Sequence, residues 1–247
     1  SVAIGGFSLS SQNVDGLNYN VAVGYGAGTA VTTGIQNTLI GGLAGDALTT
    51  GSDNIAIGLN ALGLEDTGSR NVAIGKSALT NQNFDGDGYN TAVGYNAGNQ
   101  VTSGIQNTLI GGLAGDALTT GSSNIAMGYG ALGVEDTGGR NVAIGYNSLS
   151  ALNYDGFAYT TAVGYAAGVS ITTGLYNTIL GANAGIALTT GGENVAVGFE
   201  SLMTEDAHGR NTALGYKTLR LQDAGAEAYN VAVGYAAGGT ITTGITN

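Results

Sequence analysis

The sequence predicts an all-β fold: a parallel β-solenoid or β-roll of about 14 stacked coils of 17 and 19 residues. Two observations predict a solenoid. The motif NxAxG, or its variant NTLIG, returns every 17 or 19 residues through all 247 residues. Each motif is a short β-branched run bounded by Asn and Gly, which is typical of a strand, and no segment shows the 3.6-residue apolar period of a helix.

The coils are grouped into a longer repeat. Motif spacings run 17, 17, 17 and 19, so that one block has 70 residues. Three full blocks span residues 20–89, 90–159 and 160–229, between partial blocks 1–19 and 230–247. Residues 1–247 are therefore predicted to form one solenoid region without an internal linker. At about 4.8 Å per coil, the rod would be about 62 Å long.

The first position of each coil is nearly always Asn. In-register stacking places these amides above one another, where each can accept a hydrogen bond from one neighbouring coil and donate one to the other, as in cross-β amide ladders. The predicted structural ladder consists of Asn20, Asn37, Asn54, Asn71, Asn90, Asn107, Asn124, Asn141, Asn177, Asn194, Asn211 and Asn230. Ser1 and Thr160 take the same position in their coils.

The fifth position is always Gly. A sharp corner with positive φ, or a close approach of two backbones, requires a residue without Cβ. The predicted structural corner consists of Gly24, Gly41, Gly58, Gly75, Gly94, Gly111, Gly128, Gly145, Gly164, Gly181, Gly198, Gly215 and Gly234.

One strand cannot complete a coil of 17 residues. Positions 10 to 14, as in Ala30-Val31-Thr32-Thr33, are predicted to form a second, Thr-rich return strand. A second corner follows at residues such as Gly34 and Gly51.

The strand at positions 1 to 5 has apolar side chains on both of its faces. Position 4 is bulky and apolar in every coil, and position 3 is Ala except at Leu39, Leu109 and Ile179. Neighbouring strand residues point to opposite faces, and a lone coil has one interior, so one face needs another cover. We expect identical chains to pack along the Ala-rich face of position 3. The alternative is a wide single-chain coil whose Ala-rich face tolerates water.

The motifs resemble a known family. Ser1-Val2-Ala3-Ile4-Gly5 and Asn71-Val72-Ala73-Ile74-Gly75-Lys76-Ser77 are similar to the head repeats of YadA-like trimeric autotransporter adhesins. Related repeats occur in bacterial surface fibres and phage tail fibres. The resemblance covers the whole chain and implies a left-handed β-roll, an intertwined or side-by-side homotrimer, and surface attachment. The coils here are longer than the family's, and no stalk, neck or anchor is present, so the family's mode of secretion is not carried over.

Charge and composition exclude several classes of function. Six Lys and Arg against 17 Asp and Glu give a net charge of −11, which disfavours nucleic acid and anionic membranes. One His and no Cys leave little material for acid–base catalysis, a thiolate nucleophile or a metal site. The sequence therefore predicts no enzyme, no cofactor and no metal site. No apolar run is long enough to insert into a membrane.

Three weaker motifs have structural explanations. Asp46 and Asp116 lie in near-matches to a calcium-binding nonapeptide, but they are four coils apart. Glu65-Asp66, Glu135-Asp136 and Glu205-Asp206 each precede an Arg, which suggests an exposed ion pair. Position 6 is often Tyr, as at Tyr146, and can shield the corner or line a sugar-binding groove. His208 is expected to be an exposed loop residue.

The 19-residue coils carry the candidate ligand loops. Their two extra residues bring Asp-Gly turns, which predict protruding loops, and loops on a rigid scaffold are common binding sites. The candidate residues are Asp15, Tyr19, Asp85, Asp87, Tyr89, Asp155, Tyr159 and Tyr229. A host-surface protein or glycan is the expected ligand, if one binds there.

Together these observations predict a stiff, non-enzymatic shaft or head of an extracellular, cell-surface or virion fibre, whose main partner is itself. A trimer is favoured. Three alternatives stay open: a phage tail-fibre shaft without binding of its own, a structural filament subunit, and an ice-binding solenoid that uses the Thr-Thr-Gly runs.

Overall fold

A computed structural model describes residues 1–247 and confirms the all-β parallel solenoid. Each coil contributes one three-residue strand at positions 2 to 4. The strands are β1 (Val2–Ile4), β2 (Val21–Val23), β3 (Thr38–Ile40), β4 (Ile55–Ile57), β5 (Val72–Ile74), β6 (Thr91–Val93), β7 (Thr108–Ile110), β8 (Ile125–Met127), β9 (Val142–Ile144), β10 (Thr161–Val163), β11 (Thr178–Leu180), β12 (Val195–Val197), β13 (Thr212–Leu214) and β14 (Val231–Val233). The chain forms no helix, so none of its segments is a candidate membrane-spanning helix.

The chain has two compact units, residues 1–124 and 125–247. In the first unit, β1 to β7 pair in parallel in chain order, and in the second unit β8 to β14 do the same. The register follows the repeat lengths: Val21 pairs with Thr38 across a 17-residue coil, and Val72 pairs with Thr91 across a 19-residue coil. Like residues therefore lie above like residues within each unit.

The strands are short because left-handed residues follow them directly. In the coil of Asn20, φ is +139° at Gly24, +68° at Gly26 and +59° at Gly28. Leu43, Asn60 and other non-Gly residues at the same positions share this conformation. An alternation of left-handed and ordinary residues curls the backbone rather than extending it.

The predicted return strand is wrong. Positions 10 to 14 form turns and bends rather than a strand, although they still bond to the next coil. The backbone N–H of Thr32, for example, donates to the carbonyl of Thr49 at 2.9 Å. Stacking is thus maintained by isolated hydrogen bonds on this side of the coil.

The Ala-rich face of position 3 lies inside the coil, contrary to the expectation that it would be covered by other chains. Ala22 and Leu39 are fully buried, as are Ala27 at position 8 and Val31 at position 12. Position 12, which the sequence predicts to lie in the return strand, is therefore a core column. Alternation along a strand shows which residues share a face but not which face is the interior.

Large and small residues alternate across this narrow core. Leu39 fills space next to Gly28 and Gly45, where an added Cβ would lie 2.6 Å and 2.8 Å from its methyl carbons. Coils with Ala at position 3 can carry Leu at position 9 instead, as at Leu62. The NTLIG variant is thus a packing substitution that keeps the core volume filled.

Candidate functional site

The main exposed apolar surface is the outward face of the strand region, here called the strand face. It consists of four positions that alternate outward: the last residue of the preceding coil and positions 2, 4 and 6. Of the 31 large hydrophobic residues that are exposed, 23 lie at these positions, so exposed apolar area is concentrated on one side of each unit.

The centre of the strand face carries no charge. Positions 2 and 4 of the fourteen strands hold only Val, Ile, Leu, Met and Thr. Several of these side chains are well exposed, including Ile40 at 37%, Ile55 at 36% and Leu180 at 37%. An uncharged, regularly ribbed apolar surface of this kind is typical of an interaction site.

Stacked rings line one edge of the strand face. At position 6 of the second unit, Tyr129, Tyr146 and Tyr165 stack in parallel, with ring centroids 5.8 Å and 5.3 Å apart. Phe199 and Tyr216 begin a second stack at 5.6 Å, which Tyr235 extends at 5.1 Å. These rings contact one another and leave much of their area open to solvent, so they form an aromatic edge.

The other edge holds the four tyrosines of the predicted ligand loops. Tyr19, Tyr89, Tyr159 and Tyr229 occupy the last position of their coils with positive φ. Arginines lie over three of them: the guanidinium carbon of Arg70 is 5.9 Å from the ring centre of Tyr89, and those of Arg140 and Arg210 are 5.5 Å from Tyr159 and Tyr229. These cation–π contacts hold the rings along the strand face.

The acidic residues of the same loops bind the coil before them. Asp85 accepts a hydrogen bond from Thr67 at 2.7 Å, and Asp155 accepts one from Thr137 at 2.8 Å. Asp87 pairs with Arg70. Asp15 is exposed. The loops of Asp85 and Asp155 are thus fastened to the preceding coil, and the depression beside Asp155 and Tyr154 is an open groove.

The asparagine column joins neighbouring coils by a different pattern from a stack of side-chain amides. The side chain of Asn37 donates to the carbonyl of Gly51 in its own coil at 2.8 Å, and its Oδ1 accepts the backbone N–H of Asn54 at 3.0 Å. The same pair of bonds occurs at Asn20 and Asn177. Each amide therefore closes its own coil and holds the next. Direct amide-to-amide bonds occur only locally, as from Asn211 to Asn194 at 3.2 Å.

The glycine corner has both properties that exclude a side chain. At Gly94 φ is +145°, and an added Cβ would lie 2.4 Å from the carbonyl oxygen of Gly111 in the next coil. The same contact recurs within each unit at 2.2 to 2.6 Å, as at Gly24 and Gly145, whereas at Gly234 nothing lies within 4 Å.

Three glutamates are core residues, contrary to the expectation of exposed ion pairs with the following arginines. Glu65, Glu135 and Glu205 are fully buried at position 12, the position of Val31 and Leu48 in other coils. Glu135 accepts hydrogen bonds from the backbone N–H groups of Gly138 at 2.8 Å and Tyr154 at 3.4 Å. Aligning position 12 across all coils could have revealed this, because eight of the fourteen residues there are Val, Leu or Ile.

Burial raises the pKa of Glu135 from its ordinary 4.5 to about 7, against the opposing effect of its two backbone donors. The pKa of Glu65 is raised by burial in the same way. The folded chain therefore keeps protons that the unfolded chain has released, and folding becomes less favourable as pH rises from about 4.5 to about 7.

This pKa shift predicts the pH dependence of stability. Between pH 4.5 and pH 7, the free energy of unfolding of the wild type should fall by roughly 3 kcal/mol because of Glu135. Glu135→Gln should not show this fall, because Gln does not titrate. Urea denaturation at pH 5, 6, 7 and 8 measures it. The control is Glu227→Gln, which changes an exposed carboxylate. Parallel pH profiles for wild type and Glu135→Gln would contradict the prediction.

The remaining sequence motifs have modest structural roles. At position 13, the hydroxyls of Thr32, Thr102 and Thr172 donate to carbonyls of the next coil at 3.1 to 3.3 Å. These donors are therefore already used within the protein, which disfavours ice binding by the Thr-Thr-Gly runs. Asp46 and Asp116 are partly buried, and burial raises the pKa of each.

His208 is only partly exposed, contrary to the expectation of an exposed loop residue, and its Nδ1 lies 3.2 Å from Oε1 of Glu205. Glu205, Asp206, His208 and Asp223 form a cluster whose potential ligand atoms all lie within 4.8 Å of one another. The sequence alone did not reveal this cluster, because the glutamate was expected to be at the surface.

Comparison with known proteins adds no identification: no family model, no curated protein and no solved structure matches the chain.

Proposed function

We propose that the chain is a non-enzymatic segment of an extracellular, cell-surface or virion fibre, and that it works as a stiff shaft or head in surface attachment. Copies of the chain join through the strand face. A solenoid is compatible with a fibre or shaft, and the apolar strand face is the single observation that carries the proposal. The trimeric state and the surface location rest on the resemblance to YadA-like head repeats.

The strand face has the area of a specific interface. Seven strands at about 4.8 Å, and a width of about 20 Å from the last position to position 6, give each unit about 670 Å². A standard protein–protein interface buries about 800 Å² on each partner. The strand face of one unit is therefore within the range of standard interfaces, about 600–1,000 Å² on each partner.

A second copy of the chain is the partner that fits this surface. The apolar side chains at positions 2 and 4 form rows that repeat with the strand spacing. An identical chain therefore presents rows of the same period. The chain has a net charge of −11, which repels a copy of itself wherever charges face one another. The uncharged centre of the strand face avoids this repulsion.

The coil stacking supplies stiffness. Buried amides, glycine corners and strand pairs link each coil to the next within both units. Because each coil of a repeat array contacts only its neighbours, firm links between successive coils make the array stiff. A shaft needs this property, whether the fibre belongs to a cell or a phage.

The aromatic edge favours one further role. Exposed stacked tyrosines such as Tyr129, Tyr146 and Tyr165 offer flat, amphipathic rings that suit the faces of sugars. Weak contacts repeated along a shaft gain strength through avidity. We therefore favour binding of a host glycan over the two alternatives, a shaft that binds no ligand and a solenoid that binds ice.

A charge substitution on the strand face tests the proposal. Ile40→Lys combined with Ile57→Lys places two ammonium groups at neighbouring position-4 sites. Because these side chains point to solvent, we expect the coil to fold normally and the assembly to dissociate. Sedimentation equilibrium should give several times 24.3 kDa for wild type and one chain mass for the variant.

The matched control is Thr33→Lys combined with Thr50→Lys, which adds the same charge at exposed positions away from the strand face. This control should sediment like wild type. A variant that stays assembled after the Ile40 and Ile57 substitutions would contradict the assignment of the strand face as the joining surface.

A further inference from the structure

We infer that Glu205, Asp206, His208 and Asp223 form a binding site for one divalent cation of the Zn²⁺ type. Their potential ligand atoms lie within 4.8 Å of one another. They come from two adjacent coils, so the cation would link these coils. The inference does not depend on the proposed fibre function.

Comparison of the three blocks within the chain isolates what is special about this site. Every block has the Glu-Asp pair, but His208 stands where the other blocks have Gly68 and Gly138, and Asp223 stands where they have Asn83 and Asn153.

Asp223 has the same backbone position in its coil as Asn83 and Asn153 have in theirs. The N–H groups of Asn83, Asn153 and Asp223 each donate to a threonine carbonyl of the next coil, at 2.9, 2.9 and 2.7 Å. One block out of three therefore carries two changes that both add a metal ligand to the same place.

The substitution at position 208 also changes the buried glutamate. A Cβ added at Gly68 would lie 2.4 Å from the carboxyl carbon of Glu65, so a side chain there has to displace the carboxylate. The N–H bond to the glutamate Oε1 is accordingly 2.8 Å from Gly68 but 3.3 Å from His208.

The displacement leaves one glutamate oxygen without a hydrogen bond of normal geometry. In the first two blocks Oε2 accepts the N–H of Phe84 or Tyr154 at 3.4 Å. In the third block Oε2 of Glu205 is buried and forms no hydrogen bond of normal geometry, because the equivalent backbone N–H, that of Ala224, makes only a weaker contact with the carboxylate. A buried carboxylate oxygen without such a bond is costly, and a bound cation would satisfy it.

The donor set identifies the class of cation. One imidazole and three carboxylates suit Zn²⁺ and similar first-row ions, which accept both nitrogen and oxygen at about 2.0–2.2 Å. Tetrahedral ligands at that distance lie about 3.4 Å apart, so rotations of the exposed Asp206 and Asp223 side chains would complete the site. Ca²⁺ prefers six to eight oxygen ligands and is disfavoured by the imidazole.

Calorimetric titration of untagged, chelator-treated protein with Zn²⁺ tests the inference. We expect one Zn²⁺ per chain and binding at least tenfold weaker in the double variant His208→Gly, Asp223→Asn. This variant recreates the residues of the first two blocks, which fold in the same setting, so it should keep the wild-type circular dichroism spectrum and assembly mass.

The single imidazole gives a second readout. His208 is the only His of the chain, so its ring signals in an NMR spectrum are unambiguous and should shift on addition of Zn²⁺ but not of Ca²⁺. Absence of Zn²⁺ binding would overturn the inference. So would equal affinity of wild type and double variant, or binding that leaves the imidazole signals unchanged.

Discussion

Replacing Gly94 with Ala is expected to lower the free energy of unfolding by about 3 kcal/mol or more. The new Cβ meets two penalties, because the backbone has φ of +145° and the carbonyl oxygen of Gly111 lies 2.4 Å from the Cβ position. A strained dihedral costs about 1–3 kcal/mol, and overpacking adds a similar amount. The obstacle is backbone held by strand pairing, so it cannot rotate away.

The control for this substitution is Gly234→Ala. Gly234 lies in the same column with φ of +120°, but nothing lies within 4 Å of its Cβ position. We expect this variant to lose only the dihedral penalty, about 1–3 kcal/mol. Urea denaturation followed by circular dichroism measures both variants. Equal losses would mean that the close approach of successive coils at the corner does not limit the side chain.

Replacing Asn37 with Ala is the second change with a large expected effect. It leaves two buried backbone groups without partners, the carbonyl of Gly51 and the N–H of Asn54. Each orphaned group costs about 1–3 kcal/mol, so we expect a total loss of about 2–6 kcal/mol in the free energy of unfolding.

The chain itself supplies the matched control for Asn37. Thr160 occupies the same column, where its hydroxyl lies 3.5 Å from the N–H of Asn177 and 3.3 Å from the carbonyl of Gly174. Asn37→Thr should therefore lose less stability than Asn37→Ala, since a weaker version of both bonds can form. An Ala variant as stable as the Thr variant would show that these bonds do not stabilise the stack.

The repeat lengths and the residue columns of this fold are predictable from the sequence. In-register stacking places the same position of each coil above that of the next, so the Asn and Gly motifs locate every strand. The spacings of 17 and 19 residues set the register of pairs such as Val72 and Thr91. The glycine corner could be predicted because position 5 is Gly in every coil, and a residue without Cβ can adopt backbone conformations closed to other residues.

The inside and outside of the coil could not be assigned by alternation alone. Ala22 and Val23 are both apolar, and only the path of the chain after Gly24 decides that Ala22 faces inward. That path depends on left-handed residues such as Leu43 and Asn60, which are not glycines and give no sequence signal. The return strand was predicted wrongly for the same reason.

The candidate sites were only partly accessible from sequence. The tyrosines of the 19-residue coils could be singled out by their recurrence, but their position along the strand face depends on the backbone at the last position of each coil. The cluster around His208 depends on a buried glutamate, which sequence patterns suggest is exposed until position 12 is recognised as core.

Distances between spin labels on neighbouring copies test most directly the claim that the strand face joins copies of the chain. The chain has no Cys, so a single introduced Cys carries one nitroxide per chain. A label at Thr91, on the strand face, is predicted to show strong dipolar coupling between chains, and a label at Thr120, away from that face, much weaker coupling. No coupling at Thr91, or equal coupling at both positions, would contradict the claim.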